Sequence, residues 1–229
     1  MRQQQIEEFL TKNDIANYTF NEIPNDASFR KYCRLLFSDN KTMIVMDAPP
    51  EHEDVKPFIK IANFLSSNNL SAPKIIAKDE ENGFLLLEDF GNTSYNKALK
   101  EQNSMNLAKK ELDLYEKACD VLLDLHKVKE KPKDIALYDS ELLLKEVMLF
   151  IDWYLPYIAK KPANQEQINK FQEEWLRIFQ KLNDKNKLVL RDYHADNLMV
   201  LRDNKVGLLD FQDAVIGSAA YDLVSLLED

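Results

Sequence analysis

Short apolar runs bounded by polar turn residues dominate the first ninety positions of the chain and predict β-strands there. These runs cover residues 29–37, 43–46, 74–78 and 84–88. The first two flank the polar residues 38–41, a spacing and turn chemistry typical of a β-hairpin. Apolar residues then recur at helical spacing over residues 55–65. The pattern predicts a small antiparallel sheet with one helix.

Longer amphipathic segments follow from about residue 93. Apolar positions at helical spacing predict helices over residues 108–125, 140–154, 168–182 and 221–228. Short strands are predicted at residues 187–190, 198–201 and 205–209. Ser140 is a candidate N-cap, and Asn164 with Gln167 resembles a capping box. We therefore expect an α+β fold with an N-terminal lobe over residues 1–90 and a mainly helical C-terminal lobe over residues 91–229.

Composition narrows the possible partners. The chain has 229 residues, of which 45% are hydrophobic and 30% charged, and its net charge is −9. These proportions are ordinary for a globular protein. An acidic balance argues against nucleic acids and anionic membranes, which favour basic surfaces, so we expect neither as a partner. The N-terminal residues lack the apolar core of a signal peptide, which predicts a cytoplasmic protein.

Residue counts also exclude several kinds of site. The chain contains four glycines, and none of them has the spacing of a dinucleotide-binding fingerprint or a P-loop. Its two cysteines and three histidines are scattered. A zinc site built from Cys and His, or a disulfide framework, is therefore not expected.

Candidate chemistry concentrates between residues 190 and 213. Asp192 and Asn197 are five apart in a loop between two predicted strands, and Asp210 ends the next strand. The same Asp-to-Asn spacing occurs in the catalytic loop of kinases, where a following strand-end Asp binds magnesium. Phosphoryl transfer requires oxygen ligands for Mg²⁺ and a carboxylate that takes the acceptor's proton. The pattern favours Asp192 as the base, with Asn197 and Asp210 as the Mg²⁺ ligands.

Each of these residues also has a structural interpretation. Asp192 could form a turn, Asn197 could close the loop through its side chain, and Asp210 could cap a turn or helix. For two neighbours the structural interpretation is the preferred one: we expect His194 to hold the loop and Asp196 to lie on its surface. The three candidates occur in the required order, which favours the functional interpretation.

The loop sequence LRDYHADN, at residues 190–197, resembles the HGDLHPGN loop of the aminoglycoside phosphotransferase/choline kinase superfamily. Further motifs resemble most closely the anomeric N-acetylmuramate/N-acetylglucosamine kinases of cell-wall recycling. These motifs are DASFRKY (residues 26–32), MDAPP (46–50), LLEDFG (86–91), LLDFQDA (208–214) and YDL (221–223). The resemblance extends over essentially the whole chain.

The resemblance implies a bilobal, protein-kinase-like fold that binds ATP and Mg²⁺ and phosphorylates a small sugar substrate at its anomeric hydroxyl. Residues 25–31 would form the turn over the ATP phosphates, and residues 87–91 the hinge beside adenine. The implied nucleotide contacts are Ser28, Phe29, Arg30, Glu88 and Asp89. Asp192 carries over as the base, with Asn197 and Asp210 as the metal ligands.

Three departures from the family pattern change these expectations. Leu190 stands where the loop usually begins with His. Met46 stands where most relatives carry a strand lysine that binds the α- and β-phosphates, so we expect Arg30, rather than Lys31, to bind phosphate instead. The chain ends at Asp229, whereas family members continue through C-terminal helices that help to wall the sugar pocket.

Two alternative functions stay open at this point. One is an aminoglycoside or other small-alcohol phosphotransferase, and the other is an inactive, nucleotide-binding pseudokinase. The motifs at residues 26–32 and 46–50 favour the amino-sugar kinase, and the intact Asp192, Asn197 and Asp210 argue against the pseudokinase. The sequence leaves the preferred sugar, the anomer and the oligomeric state undecided.

Overall fold

The computed structural model describes residues 2–24, 29–100, 107–182 and 186–228. Within these ranges the N-terminal part forms a five-stranded antiparallel sheet with the strand order β1-β2-β3-β5-β4. The strands are β1 (Tyr18–Ile23), β2 (Lys31–Phe37), β3 (Thr42–Asp47), β4 (Ile75–Asp79) and β5 (Phe84–Glu88). The predicted hairpin of β2 and β3 is confirmed, and β1 is a strand that the sequence pattern did not predict.

Helices pack on both faces of this sheet. The predicted helix is α2 (Lys56–Ser67), which buries Phe58, Ile61 and Leu65 against one face. The structure adds a helix at the N-terminus, α1 (Arg2–Lys12), on the opposite face. Its sequence is mostly polar and buries only Ile6, Phe9 and Leu10, so the sequence pattern did not reveal it.

The C-terminal part is mainly helical. Its helices are α3 (Tyr95–Lys100), α4 (Leu107–Lys127), α5 (Ser140–Leu149), a π-helical continuation (Phe150–Ile158), α6 (Gln165–Phe179) and α7 (Ala220–Leu227). Two antiparallel strand pairs lie among them: β6 (Lys187–Val189) with β9 (Val215–Gly217), and β7 (Leu198–Val200) with β8 (Val206–Leu208). The predicted α+β, kinase-like architecture is confirmed, although β9 was not predicted.

The helix ends differ in detail from the sequence prediction. The side chain of Asp139, rather than that of Ser140, caps α5 by accepting backbone N–H groups at 3.0 and 2.9 Å. The helix then continues past Tyr154 as the π-helical segment. The capping box of α6 is confirmed, because Asn164 and Gln167 each accept the other's backbone N–H.

One hydrophobic core joins the sheet to the helical part. It contains side chains of α2, α4 and β5 together with residues of the β7–β8 hairpin. Phe58 of α2 contacts Phe211, just beyond β8, with ring centroids 5.0 Å apart. The hairpin is also hydrogen-bonded to the segment between α2 and β4, since the N–H of Leu208 donates to the carbonyl of Ser71 at 2.8 Å. This packing places the loops around β7 and β8 beneath the sheet.

Among the described residues, no helix combines the length and the apolar character that a membrane crossing requires.

Candidate active site

The loop between β6 and β7 is held at its start by Asp222 of α7. The two carboxylate oxygens of Asp222 accept the N–H groups of Leu190 at 2.8 Å and Arg191 at 2.9 Å. Arg191 has a φ of +73°, a left-handed conformation that is unfavourable for a residue with a Cβ atom. Such a conformation persists only where surrounding contacts impose it. Asp222 therefore fixes the backbone that carries the next residue, Asp192.

Asp222 is a buried carboxylate, with none of its surface exposed. Burial raises its pKa to about 6, although the N–H donors of Leu190 and Arg191 act in the opposite direction. A buried carboxylate of this kind requires hydrogen-bond donors, and the loop backbone supplies them.

Asp192 lies half-buried in this loop. Burial is the main cause that raises the pKa of its carboxyl group, and the negative charge of Asp210 raises it further. The positive charge of Arg191 acts in the opposite direction and lowers this pKa. A raised pKa makes the carboxylate a stronger base, provided that it is ionised.

Asn197 closes the same loop. Its Nδ2 donates to the backbone carbonyl of Asp192 at 3.0 Å and lies 3.1 Å from Nε2 of His194. His194 thus contacts the loop from within, as expected. Because the amide nitrogen is occupied by these contacts, the amide oxygen is the end of Asn197 that is available to a cation.

The β7–β8 pair brings Asp210 close to Asn197. The strands pair Leu198 with Leu208, and the N–H of Leu209 donates to the carbonyl of Asn197 at 3.0 Å. The Oδ1 atom of Asp210 accepts from Nε2 of Gln212 at 2.8 Å. A carboxylate and an amide oxygen that line the same cavity suit Mg²⁺, which prefers hard oxygen ligands.

The residues present fit a magnesium ion that is shared with phosphate. Within the described ranges, no group of three or more His, Cys, Asp or Glu side chains is arranged to enclose a metal. Mg²⁺ commonly uses one or two protein ligands together with substrate phosphates and water, so a site of this kind does not require such a group.

These loops form one wall of a cavity of about 400 Å³. The lining also includes apolar residues of the sheet, among them Ile23, Ile44 and Leu87, and residues 88–92 at the end of β5 and in the segment that follows it. Five residues named from the sequence line this cavity: Arg30, Glu88, Asp89, Asn197 and Asp210. A partly apolar cleft with a few converging polar groups is typical of a ligand site.

Comparison with known proteins identifies the family. Residues 19–229 match the Phosphotransferase enzyme family. The chain belongs to this family. It is 37% identical over 206 residues to an N-acetylmuramate/N-acetylglucosamine kinase of Pseudomonas aeruginosa, covering 90% of this chain and 58% of that protein. A kinase of the same name from Neisseria meningitidis is 35% identical over 205 residues, with coverage of 89% and 59%. The chain thus spans less than two thirds of the length of these relatives.

Solved structures agree with the fold of this phosphotransferase family member. Choline kinase LicA from Streptococcus pneumoniae superposes with a TM-score of 0.69 at 15% identity, covering 99% of this chain and 74% of that chain. The ADP-bound aminoglycoside phosphotransferase APH(2'')-Ib superposes with a TM-score of 0.64 at 16% identity, covering 96% and 74%. The family resemblance that the motifs indicated is confirmed.

Two of the predicted site residues, Phe29 and Asp192, are not among the residues that line the cavity. The ring of Phe29 is 58% exposed and stacks on His52, with centroids 4.4 Å apart. Ser28 lies outside the described residues. Glu88 lines the cavity, and its exposed side chain accepts the N–H of Lys74 at 3.3 Å.

Two functional candidates were missed from the sequence. The role of Asp222 depends on a contact with Leu190, which lies 32 residues earlier in the chain. Arg34 lines the cavity from β2, where the sequence indicated only a strand. A signal for Asp222 was present, because an acid on an otherwise apolar helical stretch favours a specific buried role. The sequence alone offered no comparable signal for Arg34.

We predict that Asp222→Asn lowers the free energy of unfolding by about 1–3 kcal/mol, because its amide nitrogen would face a backbone N–H. Amide hydrogen exchange at Leu190 and Arg191 should accelerate. Urea unfolding and exchange mass spectrometry measure the two effects. Asp203→Asn is the control, since Asp203 is exposed and pairs with Lys205. Unchanged exchange in the Asp222 variant would contradict the assignment.

Proposed function

We propose that this protein is an ATP- and Mg²⁺-dependent kinase that transfers the γ-phosphate to the anomeric hydroxyl of N-acetylmuramate or N-acetylglucosamine. The observation that carries the proposal is the meeting of Asn197 and Asp210 at one cavity, with Asp192 in the adjoining loop. The acceptor comes from the names of the relatives at 35–37% identity. We further propose that the protein acts in the cytoplasm, in the recycling of cell-wall amino sugars.

In this proposal Asp192 accepts the proton of the acceptor hydroxyl as its oxygen attacks the γ-phosphorus, and ADP leaves with the bridging oxygen. The half-buried position of Asp192 and its raised pKa suit that role. Asn197 and Asp210 would hold Mg²⁺, which neutralises charge on the phosphates when it is bound. Asp222 keeps the base in place through the backbone of Leu190 and Arg191.

Arg30 supplies a positive charge where the strand lysine is missing. Met46, at the lysine position, is completely buried and has no charge to offer. The Nη2 atom of Arg30 lies 3.7 Å from Oδ1 of Asp210, and its Nε atom lies 3.9 Å from Glu53. Arg30 lines the cavity, whereas Lys31 is exposed on β2. A guanidinium suits phosphate because it can bind two oxygens at once.

The alternative functions have less support. Choline and aminoglycosides are named in the solved structures described above, which are 15% and 16% identical to this chain and show the fold alone. An inactive pseudokinase would not need Asp192, Asn197 and Asp210 in the arrangement observed.

The proposal is tested by ADP release from Mg²⁺-ATP in the presence of four separate acceptors. N-acetylglucosamine and N-acetylmuramate should stimulate ADP release, whereas choline and kanamycin should not. Stimulation by kanamycin or choline alone would favour a different acceptor class. Nucleotide binding without stimulation by any acceptor would favour the pseudokinase.

We predict that Asp192→Asn lowers kcat by about 10²–10⁴-fold, the usual contribution of general base catalysis, while ADP still binds. Steady-state kinetics and calorimetric titration measure the two quantities. Asp196→Asn is a matched control, because Asp196 lies in the same loop but is exposed and bonded to Asn96. Near-normal turnover in Asp192→Asn would reject this residue as the base.

We predict that Asp210→Ala abolishes activity and removes the effect of Mg²⁺ on nucleotide affinity, because the ion joins protein and phosphate oxygens. Asn197→Ala should act in the same direction but less strongly, since a neutral amide is the weaker ligand. Calorimetric titration of ADP with and without Mg²⁺ measures this. If the affinity of Asp210→Ala still responds to Mg²⁺ as in the wild type, the metal binds elsewhere.

We predict that Arg30→Ala raises the KM for ATP and lowers kcat, because a charge beside the phosphates is lost as the leaving group develops. Lys31→Ala is the neighbouring control and should have little effect. Initial rates over a range of ATP concentrations compare the two variants. Equal, small effects would reject Arg30 and point to Lys56 or Lys60 of α2, or to Mg²⁺ alone.

A further inference from the structure

The side chain of Arg34 reaches from the middle of the sheet to the segment that links β5 to α3. Its Nε donates to Oδ2 of Asp89 at 2.5 Å, and its Nη2 donates to Oδ1 of the same carboxylate at 3.0 Å. Nη2 also donates to the carbonyl of Gly91 at 3.0 Å, and Nη1 donates to Oδ1 of Asn92. One guanidinium therefore binds side-chain and backbone oxygens of residues 89–92. This segment overlaps the hinge expected at residues 87–91, and from here on the name hinge refers to residues 89–92.

Both partners of this pair are buried. The side chain of Arg34 is 11% exposed and that of Asp89 is 3% exposed. The Asp89 carboxylate also accepts the N–H of Gly91 at 2.8 Å and a side-chain hydrogen bond from Thr42. These donors keep the pKa of Asp89 below its ordinary value despite burial. The Asp89 carboxylate is therefore engaged by groups of the protein itself.

The β7–β8 hairpin also contacts the hinge. A Cβ atom at Gly207 of β8 would lie 2.7 Å from the ring of Phe90, so the hairpin approaches the hinge closely only because this residue is glycine. The N–H of Val200 donates to the carbonyl of Thr93 at 2.9 Å. Arg34 thus contacts the hinge from the five-stranded sheet, and the β7–β8 hairpin contacts it from the C-terminal part of the chain.

We propose that Arg34 is a positioning residue for the nucleotide base: it fixes the hinge backbone, which lines the cavity, in the conformation that recognises adenine. The inference rests on the proposed function, because it takes the cavity as the nucleotide site. Arg34, Asp89, Gly91 and Asn92 all line that cavity. A backbone already held in its binding conformation loses less conformational entropy when a ligand binds, which increases affinity and selectivity.

A second arginine–aspartate pair, between α1 and β3, provides a control for the substitution of Arg34. Arg2 of α1 donates from Nε to Oδ1 of Asp47 at 3.1 Å, and Asp47 is almost completely buried. This second arginine–aspartate pair lies outside the cavity lining. A substitution there tests what the loss of a partly buried arginine–aspartate pair costs the fold, without touching the hinge.

The test is calorimetric titration of ADP and of CDP, with Mg²⁺, into the wild type, Arg34→Lys and Arg2→Lys. Lysine keeps the charge but cannot bridge Asp89, Gly91 and Asn92 together. Arg34→Lys should lower the affinity for ADP by about tenfold, the equivalent of one charge-assisted hydrogen bond. The affinity for CDP should fall much less. The ratio of the affinities for ADP and CDP should therefore decrease in Arg34→Lys, whereas Arg2→Lys should keep the wild-type ratio.

An unchanged ADP-to-CDP preference in Arg34→Lys would overturn the inference, as would an equal narrowing in Arg2→Lys. Should Arg34→Lys not fold, the double variant Arg34→Gln/Asp89→Asn removes both charges together, and it must show the same narrowing. A wild type that binds neither nucleotide would instead reject the proposed function. An active wild type with an unaltered Arg34 variant would reject the positioning role alone.

Discussion

The geometry of the candidate active site depends on one buried carboxylate. Asp222 accepts the N–H groups of Leu190 and Arg191 and so imposes the left-handed conformation of Arg191. That conformation determines where Asp192 lies. Asn197 then bonds back to the carbonyl of Asp192, which closes the loop before β7 begins. A single side chain of the C-terminal helix thereby positions a loop about thirty residues earlier in the chain.

The electrostatics of the site follow from this arrangement. Asp192, Asp210 and Asp213 lie near one another, and their mutual repulsion contributes to the raised pKa of Asp192. Arg30 faces Asp210 at 3.7 Å from the other side of the cavity. A cluster of acids is suited to a phosphate substrate only when a cation accompanies it. The acidic composition of the chain and a proposed magnesium-bound nucleotide are therefore compatible.

Local patterns predicted what local physics determines. The β2–β3 hairpin, the long helix α4 and the capping box of Asn164 were correct because turn chemistry, helical spacing and capping act within a few residues. The Asp-to-Asn spacing of the loop is equally local. The α5 cap moved from Ser140 to Asp139 because both residue types can cap a helix. The complete burial of Leu226 depends on packing against distant elements, which a local pattern does not specify.

Contacts between segments that are distant along the chain could not be predicted from the sequence. Asp222 and Arg34 bind backbone groups 31 to 57 residues away, and nothing in their own surroundings in the sequence specifies the partner. The division into lobes at residue 90, and the catalytic and ligand roles of Asp192, Asn197 and Asp210, stay predictions. The most direct test of the account is ³¹P NMR of the wild type with Mg²⁺-ATP and N-acetylglucosamine. The account predicts a new phosphomonoester resonance coupled to the anomeric proton of the sugar. Conversion of ATP to ADP and free phosphate alone, at the same rate with and without the sugar, would contradict it.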